Sequence, residues 1–411
     1  MRACITIAVL VLCAIAASAR QWQVGPAHTI KTIKAAIQKA TAGDTVCVYP
    51  GLYKEGNIVI PQSIYLQGIN NPVLDGENKY EILTLSGNFI TVTGFVFKNS
   101  GYSAMNDFAS IKMIDAGNIT ISHNKIYDAY FGIHCSNSHH IVINHNELAG
   151  LTKTEQTTGN GIHLWKCNNA TITANKITHH RDGIYFEFVS FSKVVNNTSE
   201  QNIRYGLHFM FSNNDQYLGN TFRNNGAGVA VMYSKGVQMR QNSFQHNWGA
   251  SAYGLLLKDI TDSHIQLNVF YKNTVGVFME GSSRIKIEKN TFNQNGWALK
   301  VQASCNDNTV TLNNFSGNSF DVGTNGSLVL NSFTKNYWDK YEGYDLRKDG
   351  TGDVPYRPVS LYSMLIEQNP GTVLLMRSFT ISLLDKAEKV MPSLTPEQLA
   401  DTEPSMKPIK L

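Results

Sequence analysis

A short pattern recurs about every 22 residues through the middle of the chain. Each copy opens with glycine and continues with apolar residues in alternation, as in GLHFMF (206–211) and GVAVMY (228–233). Copies begin at residues 132, 161, 183, 206, 228, 254, 276 and, with alanine instead of glycine, 298. One unit is too short to bury its own apolar face, so the units must stack on one another to make a core.

A second marker is an asparagine that is usually followed, two residues later, by an apolar residue. It recurs at nearly the same spacing, at Asn124, Asn146, Asn175, Asn197, Asn220, Asn242, Asn268, Asn290, Asn313 and Asn331. Stacked amides can bond the backbone groups that a corner leaves unpaired, so we predict a structural asparagine ladder.

The two markers predict an all-β protein, a right-handed parallel β-helix with about 22 residues per rung. Equivalent residues of neighbouring rungs would lie about 4.8 Å apart. Two longer steps, at 149–160 and 245–253, carry extra polar or small residues and are placed in corners.

The open ends of the solenoid need caps. Near the N-terminus, HTIKTIKAAIQKATAG (28–43) predicts a capping helix that starts after Thr32 and stops at Gly43. The repeat fades near residue 337. We therefore expect a signal peptide (1–19), an N-terminal cap (20–45), the β-helix (46–336) and a C-terminal, partly helical extension (337–411).

The N-terminus, MRACITIAVLVLCAIAASAR (1–20), has one arginine, an apolar run and then small residues, which is typical of a secretory signal cut after Ala19. Four cysteines would remain, Cys47, Cys135, Cys167 and Cys305. They show no CxxC pair or zinc spacing, so we predict buried free thiols. The formal net charge of +4 over 411 residues is too small to indicate nucleic-acid binding.

Alternation predicts which side chains face the core. One and three residues past the opening glycine lie the inward residues, such as Leu207 and Phe209. Two and four residues past it, the side chains point outward, and we call these positions the outward stripe. The stripe holds His134, His163, Tyr185, His208, Ala230, Leu256 and Phe278 in one column and Ser136, Trp165, Glu187, Met210, Met232, Lys258 and Glu280 in the other.

Met210 and Met232 take the same outward position on adjacent rungs, where a soluble protein normally exposes polar residues. Thioethers are soft ligands and imidazole is a borderline one, so the pair with His208 suits Cu(I). His163 and His134 continue the histidine column. A patch covered by a loop or by a partner protein is the alternative.

An exported β-helix could instead cleave a polysaccharide, which needs two carboxylates at a defined separation. Glu187 and Glu280 are four rungs apart, about 19 Å, which is too far for such a pair. Lys258 beside Glu280 is interpreted as a cross-rung ion pair. The acidic segment DLRKDGTGD (345–353) could bind Ca²⁺, but it lacks EF-hand spacing and is interpreted instead as a turn.

The segment GTVLLMRSFTISLLDKAEKVMPSLTPEQL (371–399) is apolar at mixed spacing and lies outside the repeat. It could pack on the last rung or dock onto a partner.

Long irregular strings in the second half of the chain resemble the NosD family. They are YGLHFMFSNND (205–215), AGVAVMYSKGVQM (227–239), GASAYGLLLKDI (249–260), NGWALKVQASC (295–305), NYWDKYEGYDLRKDGTGDVPYRPVSLYS (336–363) and LLDKAEKVMPSLTPEQLADTEPSMKP (383–408). The resemblance is tight over roughly half of the chain, and the N-terminal half shares mainly the architecture.

NosD proteins are exported β-helix proteins on the periplasmic side of an ABC transporter made with NosF and NosY. With the copper lipoprotein NosL, they help to supply nitrous oxide reductase, NosZ, with its catalytic copper–sulfide centre. The resemblance implies a non-enzymatic periplasmic accessory protein, held at the inner membrane through the transporter, with transient Cu(I) as its cargo.

On this resemblance we map candidate copper ligands and partner contacts onto the chain. The candidate ligands are Met210, Met232, His208, His163 and His134, and the candidate partner contacts are Trp165, Glu187, Met376, Phe379, Leu383 and Leu384. A scaffold that carries no metal itself, and a carbohydrate-active β-helix, stay open as alternatives.

Overall fold

The computed structural model describes residues 19–103, 105–151, 154–326, 330–376, 378–391, 395 and 399–411. The predicted signal peptide lies outside this part of the chain, except for Ala19. Over the described ranges, three parallel sheets run along a solenoid, and each full rung adds one strand to each sheet in turn. The predicted parallel β-helix is therefore confirmed, and the common rung length is 22 or 23 residues.

Sheet A has fourteen strands within the described residues. They are Gln21–Val24, Thr45–Val48, Tyr65–Gly68, Thr91–Thr93, Gly117–Ser122, His139–Asn144, Thr171–Thr173, Lys193–Val195, Gln216–Leu218, Gln238–Arg240, His264–Gln266, Lys286–Glu288, Asn306–Thr311 and Leu330–Thr334.

Sheet B follows sheet A on each rung after a short corner. Its strands are Leu52–Tyr53, Val73–Asp75, Val96–Lys98, Lys125–Tyr127, Glu147–Ala149, Lys176–Thr178, Thr198–Glu200, Thr221–Arg223, Ser243–Gln245, Val269–Tyr271, Thr291–Asn293, Asn314–Ser316 and Tyr337–Trp338.

Sheet C closes each rung and carries the outward stripe. Its strands are Ile58–Ile60, Leu83–Leu85, Ala109–Ile114, Phe131–Ser136, Ile162–Trp165, Ile184–Glu187, Tyr205–Met210, Ala227–Met232, Tyr253–Lys258, Val275–Glu280, Trp297–Val301 and Phe320–Gly323. The corners between sheets B and C contain both predicted insertions, so the long steps leave the strand pairing intact.

The core forms because the inward side chains of all three sheets meet along the solenoid axis. The predicted inward pairs of sheet C, such as Leu207 and Phe209, are fully buried. In sheet B, Phe222, Phe244, Phe270, Phe292, Phe315 and Trp338 stack, with neighbouring ring centroids 4.1–5.6 Å apart. Each opening glycine lets the next rung approach: a Cβ on Gly228 would lie 2.4 Å from the Gly254 carbonyl oxygen.

The asparagine ladder runs along the corner between sheets A and B. Asn242 is typical, because its Oδ1 accepts hydrogen bonds from the backbone N and from Nδ2 of Asn220, each at 3.0 Å. The prediction was wrong at one position. The ladder continues from Asn313 to Asn336, whereas Asn331 bonds Asn308 in a neighbouring column.

That neighbouring column contains a buried carboxyl group, Asp215, whose Oδ1 accepts a hydrogen bond from the Ser192 amide at 2.8 Å. Burial raises the pKa of Asp215 to about 8, against the opposing effect of this hydrogen bond. The folded chain therefore holds the proton more tightly than the unfolded chain, in which the carboxyl group titrates near pH 4.

The Asp215 contribution should consequently be full below about pH 4 and be lost as the pH rises towards 8. We expect Asp215→Asn, which matches Asn308 of the same column, to raise the free energy of unfolding at pH 8 by about 2 kcal/mol. Urea denaturation at several pH values checks this. An equal fall in stability between pH 4 and 8 for both proteins would contradict it.

The N-terminal cap is a helix, α1 (Ile33–Lys39), that lies over the end of the core. The Thr32 side chain accepts a hydrogen bond from the Ala35 amide, so the helix starts after Thr32 as predicted, and Ile33, Ala36 and Ile37 are buried. The helix ends before Gly43, which forms the next corner with φ 88°.

The C-terminal end is closed by a segment that returns from residue 399 onward. Asp401 is fully buried, and its Oδ2 accepts hydrogen bonds from the backbone N of Asn336 (3.0 Å), from Asn336 Nδ2 (3.0 Å) and from Trp338 Nε1 (2.9 Å). Its Oδ1 accepts from the Lys335 amide at 3.1 Å. Asp401 thus takes the place of the next ladder amide and terminates the asparagine ladder.

The four described cysteines are buried and free, which confirms the prediction. Cys135 lies beside Met113, with its Sγ 3.9 Å from the Met113 Sδ. Burial raises the pKa of the Cys167 thiol to about 11 and holds that of Cys135 well above its usual value. Such thiols are unreactive, and we treat them as core residues.

Candidate functional site

The outward stripe of sheet C brings the two predicted thioethers together. Met210 and Met232 are register partners on adjacent strands, next to Glu187 on one side and Lys258 on the other. Both methionines are half-buried, and neither belongs to the core. Their side chains leave the same face of the sheet on strands about 4.8 Å apart.

The rings of Tyr185, His208 and Tyr205 lie beside this pair of methionines. The Tyr185 hydroxyl donates a hydrogen bond to Met210 Sδ at 3.5 Å. The Tyr185 ring lies 4.8 Å, centroid to centroid, from His208, which contacts Tyr205 at the same distance. The Met210 thioether is therefore positioned by its hydrogen bond from Tyr185, whose ring in turn contacts His208.

His208 is two residues before Met210 on the same face and is only 4% exposed. Neither of its ring nitrogens has a hydrogen-bond partner among the described residues. The nearest charged group is Asp182, whose Oδ2 lies 3.8 Å from Nδ1. A buried imidazole whose ring nitrogens have no hydrogen-bond partner is suited to bind a metal ion.

His163 and His134 lie farther along the stripe, because Tyr185 occupies the column between His163 and His208. The two rings contact each other, with centroids 4.8 Å apart. The structure thus forms a separate histidine pair and does not bring all three imidazoles to the methionines.

The histidine pair is electrically neutral near pH 7. Burial lowers the pKa of His134 to about 4, with Lys112 acting in the same direction and Asp107 against it. Burial, helped by His134 and Arg181, holds the pKa of His163 well below its usual value. Neutral imidazoles can accept a metal ion without first releasing a proton.

Within the described ranges, no group of three or more histidine, cysteine, aspartate or glutamate side chains is arranged to hold a metal ion. A site on the stripe would therefore depend on the thioethers. That dependence favours a soft ion such as Cu(I) over zinc or calcium.

Asp182 and Arg204 belong to the neighbourhood of His208 and were not predicted. Asp182 is fully buried, and its Oδ1 accepts a hydrogen bond from the Tyr205 amide at 3.3 Å. Arg204 reaches Glu155 of the first insertion at 3.4 Å, so that corner folds towards the stripe. The available signal for Asp182 was its place directly before the opening Gly183, in a column that elsewhere is mostly apolar or aromatic.

The predicted contact residues Trp165 and Glu187 both lie on the stripe. Trp165 is half-buried, and the Lys166 ammonium sits 4.3 Å from its ring centroid. Glu187 precedes Met210 in register. Lys258 and Glu280 form the predicted cross-rung ion pair at 3.9 Å, and Glu187 and Glu280 are four rungs apart. These carboxylates cannot act as a pair.

The apolar C-terminal segment forms a helical hairpin on the last strand of sheet C. It consists of α2 (Leu361–Gln368), a 3₁₀ helix (Pro370–Leu375) and α3 (Phe379–Val390). Phe320, Tyr362, Ile366 and Ile381 make its small core, against which Leu384 packs. An ion pair between Lys300 and Glu367 ties α2 to the sheet.

The tip of the hairpin exposes the remaining apolar side chains. Leu374 is 88% exposed, Phe379 83% and Leu383 57%, while Met376 is 38% exposed. Of the four predicted contact residues, Leu384 is therefore committed to packing, and the other three form an uncovered apolar surface.

The acidic segment 345–353 uses its carboxylates to hold its own backbone. Asp345 accepts hydrogen bonds from the Asp349 and Gly350 amides, and Asp353 accepts from the Leu346 amide. These hydrogen bonds are consistent with the interpretation as a turn, and ion binding by this segment stays an open alternative. Elsewhere in the described chain, no helix is both long and apolar enough to span a membrane.

Together, the fold and the stripe define the class of protein, a β-helix scaffold that displays soft donor groups along one sheet. A sequence model of the NosD family, described as periplasmic copper-binding protein, matches residues 149–343. The chain is 29% identical over 371 residues to a probable ABC transporter binding protein NosD of Pseudomonas aeruginosa, covering 86% of each chain. It is 28% identical over 374 residues to the protein of the same description from Stutzerimonas stutzeri, covering 86% of this chain and 85% of that one. The chain is thus similar to NosD proteins over most of its length.

Solved structures with the same fold have other functions. The surface adhesin PfbA of Streptococcus pneumoniae aligns with a TM-score of 0.58 at 13% identity, over 75% of this chain and 89% of its own. An α-1,3-glucanase catalytic unit from Streptomyces thermodiastaticus aligns with a TM-score of 0.62 at 13% identity, over 74% of this chain and 66% of its own. At such identities the likeness concerns the fold alone.

Proposed function

We propose that this chain is a non-catalytic periplasmic accessory protein that handles Cu(I) for the maturation of nitrous oxide reductase. The observation that carries the proposal is the pair of outward thioethers, Met210 and Met232, beside a buried His208 with open ring nitrogens. The description of the family as periplasmic copper-binding proteins supports it.

The chemistry of the proposed site follows from its donors. Two thioethers and one imidazole suit Cu(I), and they discriminate against hard ions. Because such a site contains no thiolate, it can release its ion to a stronger binder. Copper is thus a transient cargo that the chain binds and passes on.

His163 and His134 form the second part of the proposed path. Their neutral rings lie two and three rungs from Met210, on the same column as His208. We propose that this pair holds the ion at a separate station, with Tyr185 and the adjoining Trp165 and Glu187 shaping the surface between the two.

The hairpin tip is proposed as the contact with the ABC transporter, whose subunits would be NosF and NosY. Its support is the uncovered apolar surface of Phe379, Leu383 and Met376, together with the description of the relatives as ABC transporter binding proteins. NosL would donate the copper and NosZ would receive it. The protein would thus be peripheral to the inner membrane.

Titration with Cu(I) under reducing conditions tests the proposed site. The double variant Met210→Leu/Met232→Leu keeps the side-chain volume and removes both thioethers. We expect the affinity for Cu(I) to fall roughly 100-fold, about a factor of ten per ligand. The matched control is Met239→Leu/Met279→Leu, which removes two core thioethers and should leave the affinity unchanged.

Equal Cu(I) affinity for the wild type and the Met210/Met232 variant would place the copper elsewhere. In cells, the same variant should accumulate copper-deficient nitrous oxide reductase, whereas the core control should not. Normal maturation in the variant would contradict the role of this site.

A further inference from the structure

Exposed aromatic residues occupy a corner where the backbone disfavours them. In the corners between sheets C and A, two positions per rung take a left-handed conformation, which bulky side chains rarely adopt. Phe188 and Phe191 hold both positions of one corner, each at φ 54°. Phe211 (φ 51°) and Tyr233 (φ 52°) follow Phe188 in its column. Most other corners hold polar residues or glycine at these positions, such as Asn137, Lys166, Asn169, Asn214, Arg284 and Gly281.

These four residues form what we call the aromatic strip. Their side chains are well exposed, Phe188 47%, Phe191 62%, Phe211 40% and Tyr233 41%. Phe188 and Phe211 stack with centroids 5.2 Å apart, and Phe211 and Tyr233 with centroids 5.0 Å apart. Neither the fold nor solubility benefits from exposed aromatic rings in a strained corner, so the strip indicates a binding function.

The stacking limits which ligands the strip can take. The ring faces cover each other, because the interplanar angles are only 9° and 15°. Along the stack of Phe188, Phe211 and Tyr233, a sugar or a nucleobase, which binds an open ring face, finds one only at the two ends; Phe191 lies outside the stack. What the strip offers along its length is a row of apolar ring edges, which suits the apolar side chains of another protein.

The strip directly borders the thioether pair. Phe211 follows Met210 in the chain, and Tyr233 follows Met232. A partner that covers the rings therefore lies beside both sulfur atoms. Lys235 pairs with Asp262 at 3.6 Å and Lys258 with Glu280 at 3.9 Å, while the exposed Lys166 and Asp259 lie at the two ends of the Phe188 column. The part of the partner that faces the rings should accordingly be apolar.

The size of the strip indicates a short-lived contact. An aromatic side chain has an area of 150–250 Å², so the exposed parts of the four residues amount to roughly 400 Å². A stable interface buries about 800 Å² on each partner. A permanent complex or a stable dimer would need a larger surface than the aromatic strip provides.

We propose that the aromatic strip is the docking surface for a transient copper carrier protein that exchanges Cu(I) with Met210 and Met232. The inference rests on the proposed function and adds to it the place where the carrier docks. The carrier presents its metal beside an apolar surface patch. Docking aligns that metal with the two thioethers, and the ion passes without entering the solvent.

The test uses Phe188→Asn/Phe211→Asn/Tyr233→Asn. Asparagine is already present in left-handed corner positions at Asn137, Asn169 and Asn214, so the variant should fold at least as well as the wild type. Its Cu(I) affinity, measured by competition with a small chelator, should change less than about twofold, because the ligands remain. The rate of Cu(I) transfer from purified, loaded NosL should fall at least about tenfold.

Phe89→Asn is the matched control. Phe89 is 67% exposed and has φ 56°, in the column of Phe191 but four rungs away from it. It should leave the transfer rate unchanged. Association of copper-free NosL is measured in parallel, and the triple variant should weaken it about tenfold; this readout does not require the chain to bind copper.

The outcomes separate the two proposals. If the wild type fails to bind Cu(I) but the triple variant still weakens NosL association, the proposed function fails and the docking surface stands. If Cu(I) binds but neither transfer nor association changes in the triple variant, the docking surface is wrong. A wild-type dimer that the variant dissociates would also overturn it, because the strip would then be a self-interface.

Discussion

Replacing Asp401 with alanine is expected to lower the free energy of unfolding by about 4 kcal/mol. The carboxylate accepts hydrogen bonds from Lys335, Asn336, Trp338 and Glu403, and the substitution leaves several of these donors buried without a partner. It also removes the end of the asparagine ladder, so the last rung should open first. Urea denaturation measures the overall loss, and hydrogen exchange at residues 305–338 should locate the opening.

Two controls accompany Asp401→Ala. Asp401→Asn keeps one acceptor oxygen and should lose only about 1–2 kcal/mol. Glu403→Ala removes a neighbouring carboxylate whose ion pair with Lys335 (3.6 Å) is exposed, and it should change stability by less than about 0.5 kcal/mol. Similar losses for Asp401→Ala and Glu403→Ala would show that the buried acceptor is unimportant.

Replacing Asn242 with alanine should cost a similar amount, about 4 kcal/mol, from the middle of the solenoid. Its Nδ2 donates to the Tyr217 carbonyl (2.9 Å) and to Asn268 Oδ1 (3.0 Å), and its Oδ1 accepts from Asn220 twice. All of these groups are buried, and water cannot easily replace the lost amide. Thermal and urea denaturation should both report the loss.

Gln266→Ala is the matched control for Asn242→Ala. It also deletes a side-chain amide, but the partner of that amide is Glu288 at the surface, at 2.8 Å. Its effect should stay within about 0.5 kcal/mol. If Asn242→Ala were equally mild, the ladder would contribute little to stability, and apolar stacking alone would hold the rungs together.

The fold and the register of the stripe could be predicted because both follow from periodicity. A repeat of nearly constant length places Met210 and Met232 in the same column, and alternation places them outside. The prediction that His134, His163 and His208 lie together with the methionines was wrong. Residues in the same column need not be on adjacent rungs, and Tyr185 separates His163 from His208.

Features at corners and over long distances could not be predicted. Asn331 and Asn336 lie on the same rung, and a spacing rule cannot decide which of them continues the ladder. Asp401 is 65 residues away from its partner Asn336, with no periodic signal to connect them. Alternation ends with the strand, so it says nothing about the left-handed residues of the aromatic strip.

The placement of the insertions has an evolutionary consequence. Because the long corners all connect sheet B to sheet C, extra residues enter beside the displayed face and never interrupt the amide stack on the opposite corner. Insertions in these corners can therefore change the residues beside the displayed face, while the amide stack between sheets A and B stays intact. The length of these corners and the pairing of the strands are thus independent of each other in the described part of the chain.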